Sequence, residues 1–237
     1  MKSVRVIYGV YVWLIFAAIW LCATLLMLLL PGLERRRRLA RAGARAILRL
    51  AGMSLTVKGE EFIPTGQCVI VANHASYLDG LVFTAALPPR FSFVIKREMS
   101  RVPLAGLFLR RIGSQFVERS NRNRGGADAR RVMRNAVNGQ SLVFFPEGTF
   151  PHEPGLLKFH TGAFVTAVRA GCPVVPAVVR GTRQALPPKG RLPRPARIEV
   201  EYLAAMTAAT DNPSVELRDR ARAAILTELG EPMGRLG

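Results

Sequence analysis

From Val6 to Leu33 the chain carries no charged residue, and Val10 to Leu30 is almost wholly aliphatic or aromatic. A helix that crosses a bilayer needs about 20 such residues, and only a helix satisfies its own backbone where water is absent. The stretch ends at Pro31-Gly32-Leu33-Glu34 and is followed at once by Arg35, Arg36, Arg37 and Arg38. That ending reads as stop-transfer, and the small-residue cleavage site of a signal peptide is missing. Residues 1–33 are therefore expected to form a membrane anchor. Only Lys2 and Arg5 precede it, so the positive-inside bias places the rest of the chain in the cytoplasm.

The net charge of +18 raises nucleic acid as a partner. Its distribution argues for a membrane instead. Arg38, Arg41, Arg45 and Arg49 recur at helical spacing directly after the apolar stretch. A basic amphipathic helix beside a membrane segment binds anionic headgroups, at about 1 kcal/mol per basic residue near the surface. Residues 34–54 are expected to be such a helix. The remainder shows no basic platform interleaved with aromatics, so a membrane-tethered nucleic-acid binder rests on charge alone. Cys22, Cys68 and Cys172 lie far apart in apolar runs, which suits small buried hydrophobes rather than disulfides or a zinc site.

Residues 55–237 alternate short apolar strands with helices. Strands are expected at 55–58, 68–72, 91–95, 141–145, 174–179 and 198–203. Helices are expected from Ser76 as N-cap through Ala86, over 102–112, 127–138 and 164–170, and at 216–229. The pattern predicts an α/β fold, a mainly parallel sheet flanked by helices, with functional loops at strand ends. A loop rich in Pro, Lys and Arg runs from Pro187 to Pro195 and is either solvated or membrane-facing.

The chemistry concentrates in Asn73-His74-Ala75-Ser76-Tyr77-Leu78-Asp79, which follows the strand-like run Cys68 to Ala72. On one continuous helix a spacing of five sets two residues about 140° apart, out of hydrogen-bond reach. The pair works if His74 sits in the strand-to-helix turn and Asp79 in the first helical turn, as a base with its orienting carboxylate. No serine or cysteine follows in a nucleophile-elbow setting, which leaves the nucleophile's role to a hydroxyl of the substrate. Two further segments carry candidate groups. Phe145-Pro146-Glu147-Gly148-Thr149 delivers a carboxylate and a flexible backbone at a strand end. Gly113 to Arg119 places a guanidinium, suited to a phosphate, just beyond another strand.

Together, in this order, these blocks resemble the glycerolipid acyltransferase family, whose best-known members acylate lysophosphatidic acid. His74 and Asp79 fall on its N-H-x-x-x-x-D signature. Lys96, Glu98, Pro103, Gly106, Gly113 and Arg119 fall on its second block, implicated in binding the acceptor's phosphate. Phe145 to Thr149 match its Phe-Pro-Glu-Gly-Thr block, and Val174-Val175-Pro176 its last. Departures fall at Glu118, where many relatives have Asp, at Phe150, and at Phe159-His160-Thr161-Gly162, where Phe-Lys-x-Gly is usual.

The resemblance implies His74 and Asp79 as catalytic residues, with Asn73, Ser76, Lys96, Arg119, Glu147, Gly148 and Thr149 binding substrate. It implies acyl transfer from an acyl thioester, acyl-CoA or acyl carrier protein, to a lysophospholipid, foremost 1-acylglycerol-3-phosphate. Lyso-ornithine lipid or another lysolipid is the alternative acceptor, and hydrolysis the alternative reaction. No metal and no bound cofactor are implied. The expected partners are membrane lipids and the two co-substrates, with no nucleic acid. The expected location is the bacterial inner membrane, with the catalytic domain on the cytoplasmic side.

Overall fold

The computed structural model describes residues 2–118, 122–151, 153–208 and 212–230. It begins with a helical hairpin, α1 (Lys2–Leu29) and α2 (Leu33–Leu50). The corner is Pro31-Gly32, where Gly32 takes a φ of +82°, a left-handed value that a side chain resists. α1 is long and apolar enough to cross a membrane. It nevertheless lies along the rest of the protein instead of projecting from it. The Tyr8 hydroxyl donates to the Ala51 carbonyl at 2.6 Å, Val12 joins the main core, and Met27 packs with Ala40 and Ile112. The remaining surface of α1, including Ile7, Val10, Leu14, Leu21 and Leu25, is exposed and apolar.

The arginines of α2 divide between two tasks. Arg35, Arg38 and Arg49 are exposed. Arg37 donates to the carbonyls of Ile112 and Arg90, both at 2.9 Å. Arg41 and Arg45 reach the carbonyl of Ala85, and Arg41 also that of Ala86. These two carbonyls end α3 (Asp79–Ala86), so the arginines satisfy acceptors that a helix C-terminus leaves open. The periodicity that suggests a single lipid-facing stripe thus includes residues turned onto the protein.

The strands are β1 (Ser54–Lys58), β2 (Val69–Ala72), β3 (Ser92–Lys96), β4 (Gln115–Val117), β5 (Leu142–Phe144), β6 (Val174–Arg180) and β7 (Arg197–Tyr202). They form one sheet in the order β1-β7-β6-β2-β5-β3-β4. Every neighbouring pair is parallel except β6 and β7. The remaining helices are α4 (Ala105–Arg111), α5 (Arg122–Val137), α6 (Gly162–Arg169), the short α7 (Thr182–Ala185) and α8 (Pro213–Leu229). The expected α/β class is what forms.

β2 lies at the centre, with Ile70 opposite Val143 of β5 and Val175 of β6. Its side chains alternate between faces, as a period of two requires. Ile70 and Ala72 join the core under α2 and α3, whereas Val69 and Val71 join that under α6 and α8. Because β2, β5, β3 and β4 are parallel neighbours, their C-terminal ends share one edge. In sheets of this kind that edge is where ligands bind.

Two expectations shift in detail. The helix expected over 102–112 starts late: α4 begins only at Ala105, after the separate 3-10 turn Arg97–Arg101. Pro103 lacks an N–H to donate, and Leu104 adopts a left-handed φ of 57°, which interrupts the helix. Ser76, expected as an N-cap, precedes the start of α3 by three residues. Its hydroxyl donates to the Leu186 carbonyl at 2.8 Å and accepts the Leu78 N–H at 3.2 Å.

Candidate active site

β2 ends at Ala72, and the chain then turns sharply so that Asn73 and His74 leave the sheet plane. Asn73 secures this departure. Its Nδ2 donates to the Val179 carbonyl at 3.0 Å, and its Oδ1 accepts the Val179 N–H at 2.7 Å. The side chain so pairs with β6 as a strand residue would, while the main chain is free to bend.

His74 and Asp79 come together as the strand-to-turn-to-helix arrangement predicts. Asp79 Oδ2 lies 2.6 Å from His74 Nδ1. The same oxygen accepts the N–H groups of Ala75 at 2.7 Å and Ser76 at 3.0 Å. Asp79 is wholly buried in the first turn of α3, where a helix N-terminus favours negative charge. Three donors on one oxygen fix the carboxylate, and the carboxylate fixes the ring. Its partner Oδ1 is buried without a hydrogen bond among the described residues.

The imidazole is 20% exposed, enough for a substrate to reach. Phe145 stacks on it at 4.5 Å between centroids and Phe150 meets it edge-on at 4.6 Å. With Nδ1 committed to Asp79, Nε2 makes no hydrogen bond to a described residue. A neutral ring held this way carries its proton on Nδ1 and presents a lone pair at Nε2.

Glu147 follows β5 on the same sheet edge. Its Oε1 accepts the His74 N–H at 2.6 Å and its Oε2 accepts the Leu157 N–H at 2.8 Å. Burial pushes its carboxyl up to about 7. The two backbone donors and Arg183 pull it down, and the charge of Asp79 adds a smaller upward push. Expected at the substrate, Glu147 is instead buried with each oxygen on the main chain. Asn73 and Ser76 share that fate, for the same reason: their polar atoms are already engaged with β6 and with Leu186. They position the turn.

A family model described as Acyltransferase matches residues 54–180, more than half of the chain and the whole span from β1 to β6. The chain belongs to the acyltransferase family. A 1-acyl-sn-glycerol-3-phosphate acyltransferase of Saccharomyces cerevisiae is 32% identical over 143 residues, 59% of this chain and 47% of the yeast protein. The alpha form of Mus musculus is 32% identical over 183 residues, 75% of this chain and 64% of the mouse protein. The Haemophilus influenzae enzyme of the same name is 31% identical over 132 residues, covering 53% of this chain and 55% of its own. The chain spans about half the length of several of the curated relatives it matches. The crystal structure of PlsC, the 1-acyl-sn-glycerophosphate acyltransferase from Thermotoga maritima, superposes with a TM-score of 0.77 at 20% identity. That match covers 98% of this chain and 99% of the other, and shows a shared fold.

The rest of the candidate site lies along the same edge. Gly148 takes a φ of +76° and closes a tight turn by donating its N–H to the Phe145 carbonyl at 3.0 Å. Thr149 is exposed beside it. Lys96 is exposed at the end of β3, in register with Val117 of β4. Arg119, expected at the phosphate, lies outside the described residues. The segment leading to it is anchored by Asp128, which sequence spacing gave no reason to single out. Asp128 accepts the Glu118 N–H at 3.0 Å and the Arg97 Nε at 2.9 Å. The Arg97 hydrogen bond holds the Asp128 carboxyl below the usual carboxylate range.

Proposed function

We propose that this acyltransferase moves a fatty acyl group from an acyl thioester to the free hydroxyl of 1-acylglycerol-3-phosphate, giving phosphatidic acid. The observation that carries the reading is the His74–Asp79 contact, which leaves Nε2 as the open basic position on the exposed side of the ring. Nε2 takes the proton from the acceptor hydroxyl as its oxygen attacks the thioester carbonyl. Asp79 stabilises the imidazolium that forms. The tetrahedral adduct collapses, the C–S bond breaks, and the imidazolium returns its proton to the departing thiolate. No covalent acyl-enzyme forms, and neither a metal nor a bound cofactor enters the route.

Lys96 and Arg119 are assigned to the acceptor's phosphate, and Gly148 and Thr149 to the substrate-facing turn after β5. Orienting the two substrates supplies much of the rate. The apolar face of α1 associates the protein with a membrane. We take that membrane to be a bacterial inner membrane, and the charge asymmetry around the apolar stretch supports a cytoplasmic catalytic domain.

The test is a panel of lysolipids offered to the purified protein with labelled acyl-CoA and, separately, acyl carrier protein thioester. Highest kcat/KM with 1-acylglycerol-3-phosphate is expected. A preference for lyso-ornithine lipid would move the acceptor. Release of free fatty acid without any acceptor would turn the reading to hydrolysis. Replacing Arg119 with Ala is expected to raise KM for the phosphate-bearing acceptor roughly tenfold and leave that for the donor unchanged.

A further inference from the structure

The loop from Pro187 to Pro195 takes no part in the acyl-transfer site, yet it is neither loose nor neutral. It contains Lys189, Arg191 and Arg194 and no acidic residue. All three are exposed, and none makes an ion pair among the described residues. The carboxylates of neighbouring β7 are committed elsewhere, Glu199 to Lys58 and Arg180, and Glu201 to Arg180. Three uncompensated cations on one short segment call for an external counter-charge.

What covers them follows from where the loop is seated. Leu192 rests directly on Gly9 of α1, so close that a Cβ on Gly9 would come within 2.7 Å of Leu192 Cβ. One turn further along α1, Trp13 Nε1 donates to the Arg191 carbonyl at 2.7 Å. On the same stretch of helix Val6, Ile7, Val10 and Leu14 are exposed. Basic side chains bordering an apolar helix face match the layered chemistry of an anionic lipid surface, acyl chains below and phosphates above. The loop's other end reaches the catalytic turn. Arg194 N–H closes it onto the Ala185 carbonyl, and the adjacent Leu186 carbonyl accepts the Ser76 hydroxyl.

We propose that residues 187–195 form an interfacial strap in which Lys189, Arg191 and Arg194 bind the phosphate headgroups of anionic bilayer lipids while Leu192 seats the strap on α1. The assignment is independent of the acceptor and of turnover.

The chain has two tryptophans, so Trp20→Phe leaves Trp13 as a reporter lying against the strap. The full-length protein with this change is placed in neutral detergent micelles containing phosphatidylglycerol or phosphatidylcholine brominated on an acyl chain. Trp13 quenching is expected to be at least about twofold stronger with the anionic lipid at low salt. At about 1 M salt, where the screening length falls to about 3 Å, the preference should vanish. Lys189→Gln, Arg191→Gln and Arg194→Gln together should abolish it, whereas Arg35→Gln, Arg38→Gln and Arg49→Gln together should leave most of it. Equal quenching by the two lipids in the parent overturns the proposal. So does a preference that survives the strap substitutions, or one lost equally with the α2 substitutions. Gly9→Val provides a second test that keeps every charge, because its side chain wedges Leu192 away from α1. It should at least halve the preference, and an unchanged ratio would mean that the seat on α1 does not present the charges.

Discussion

Two buried carboxylates stand on the same sheet edge and serve His74 in different ways. Asp79 gathers the imidazole and two N–H groups on one oxygen. Glu147 spreads itself, one oxygen on the His74 N–H and the other on the Leu157 N–H, and never touches the ring. The first governs where the proton sits. The second governs where the residue sits, by tying the β2 exit to the segment after β5. Their removal should therefore separate chemistry from architecture.

The largest effect is expected at the group both carboxylates serve. His74→Ala should lower kcat by about ten-thousandfold, with membrane association unchanged, as read by acyl transfer and by membrane fractionation. Turnover near normal would end the comparison, since neither carboxylate would then be supporting a base. Asp79→Asn should follow at about a thousandfold in kcat with little change in KM. The amide oxygen still accepts the three donors, but the charge that stabilises imidazolium is gone, so thermal stability should suffer less than activity.

Glu147→Gln should show the reverse balance. A carboxamide offers one acceptor to two N–H donors, which leaves a buried donor facing an NH2 group at a cost of about 1–3 kcal/mol. Activity should fall on the order of 10- to 100-fold through displacement of His74. If Asp79→Asn destabilises more than Glu147→Gln, the division of labour is wrong.

The smallest effect is a slope with pH. The Glu147 carboxyl sits at about 7 in the folded chain, against an ordinary value of 4.5. Between these values the folded state holds more protons than the unfolded state, so stability is greatest at the acid end. It declines as pH rises through about 7, then levels off. Melting temperatures of wild type and Glu147→Gln measured across this window should converge toward neutral pH. Asp128 contributes with the opposite sign. Its carboxyl is depressed by Arg97, so its stabilisation is present above the usual carboxylate range and lost as pH falls below it.

The site was legible in the sequence where chemistry and local structure coincide. A His and an Asp across a strand-to-helix turn can hardly miss each other, and the unbroken apolar run of β2 matches a central strand buried on both faces. What the sequence hid was direction. Nothing in Pro146-Glu147-Gly148 tells whether the carboxylate faces a substrate or two main-chain N–H groups, because Leu157 is brought there by the fold. Likewise, helical spacing placed Arg38, Arg41, Arg45 and Arg49 on one stripe. It could not reveal that the carbonyls ending α3 stand in front of Arg41 and Arg45. The family resemblance implies a substrate contact for Asn73, and no local pattern points to Val179, over a hundred residues away, as its partner.

That last contact has a consequence for timescales. Exchange of the Val179 amide requires the Asn73 side chain to let go, and the rung it forms continues a ladder whose strands are buried on both faces. The turn that carries His74 is thereby tied to the opening free energy of the sheet centre, unlike surface loops that exchange by local fraying. The proposed base can thus be held as still as the core to which its turn is tied.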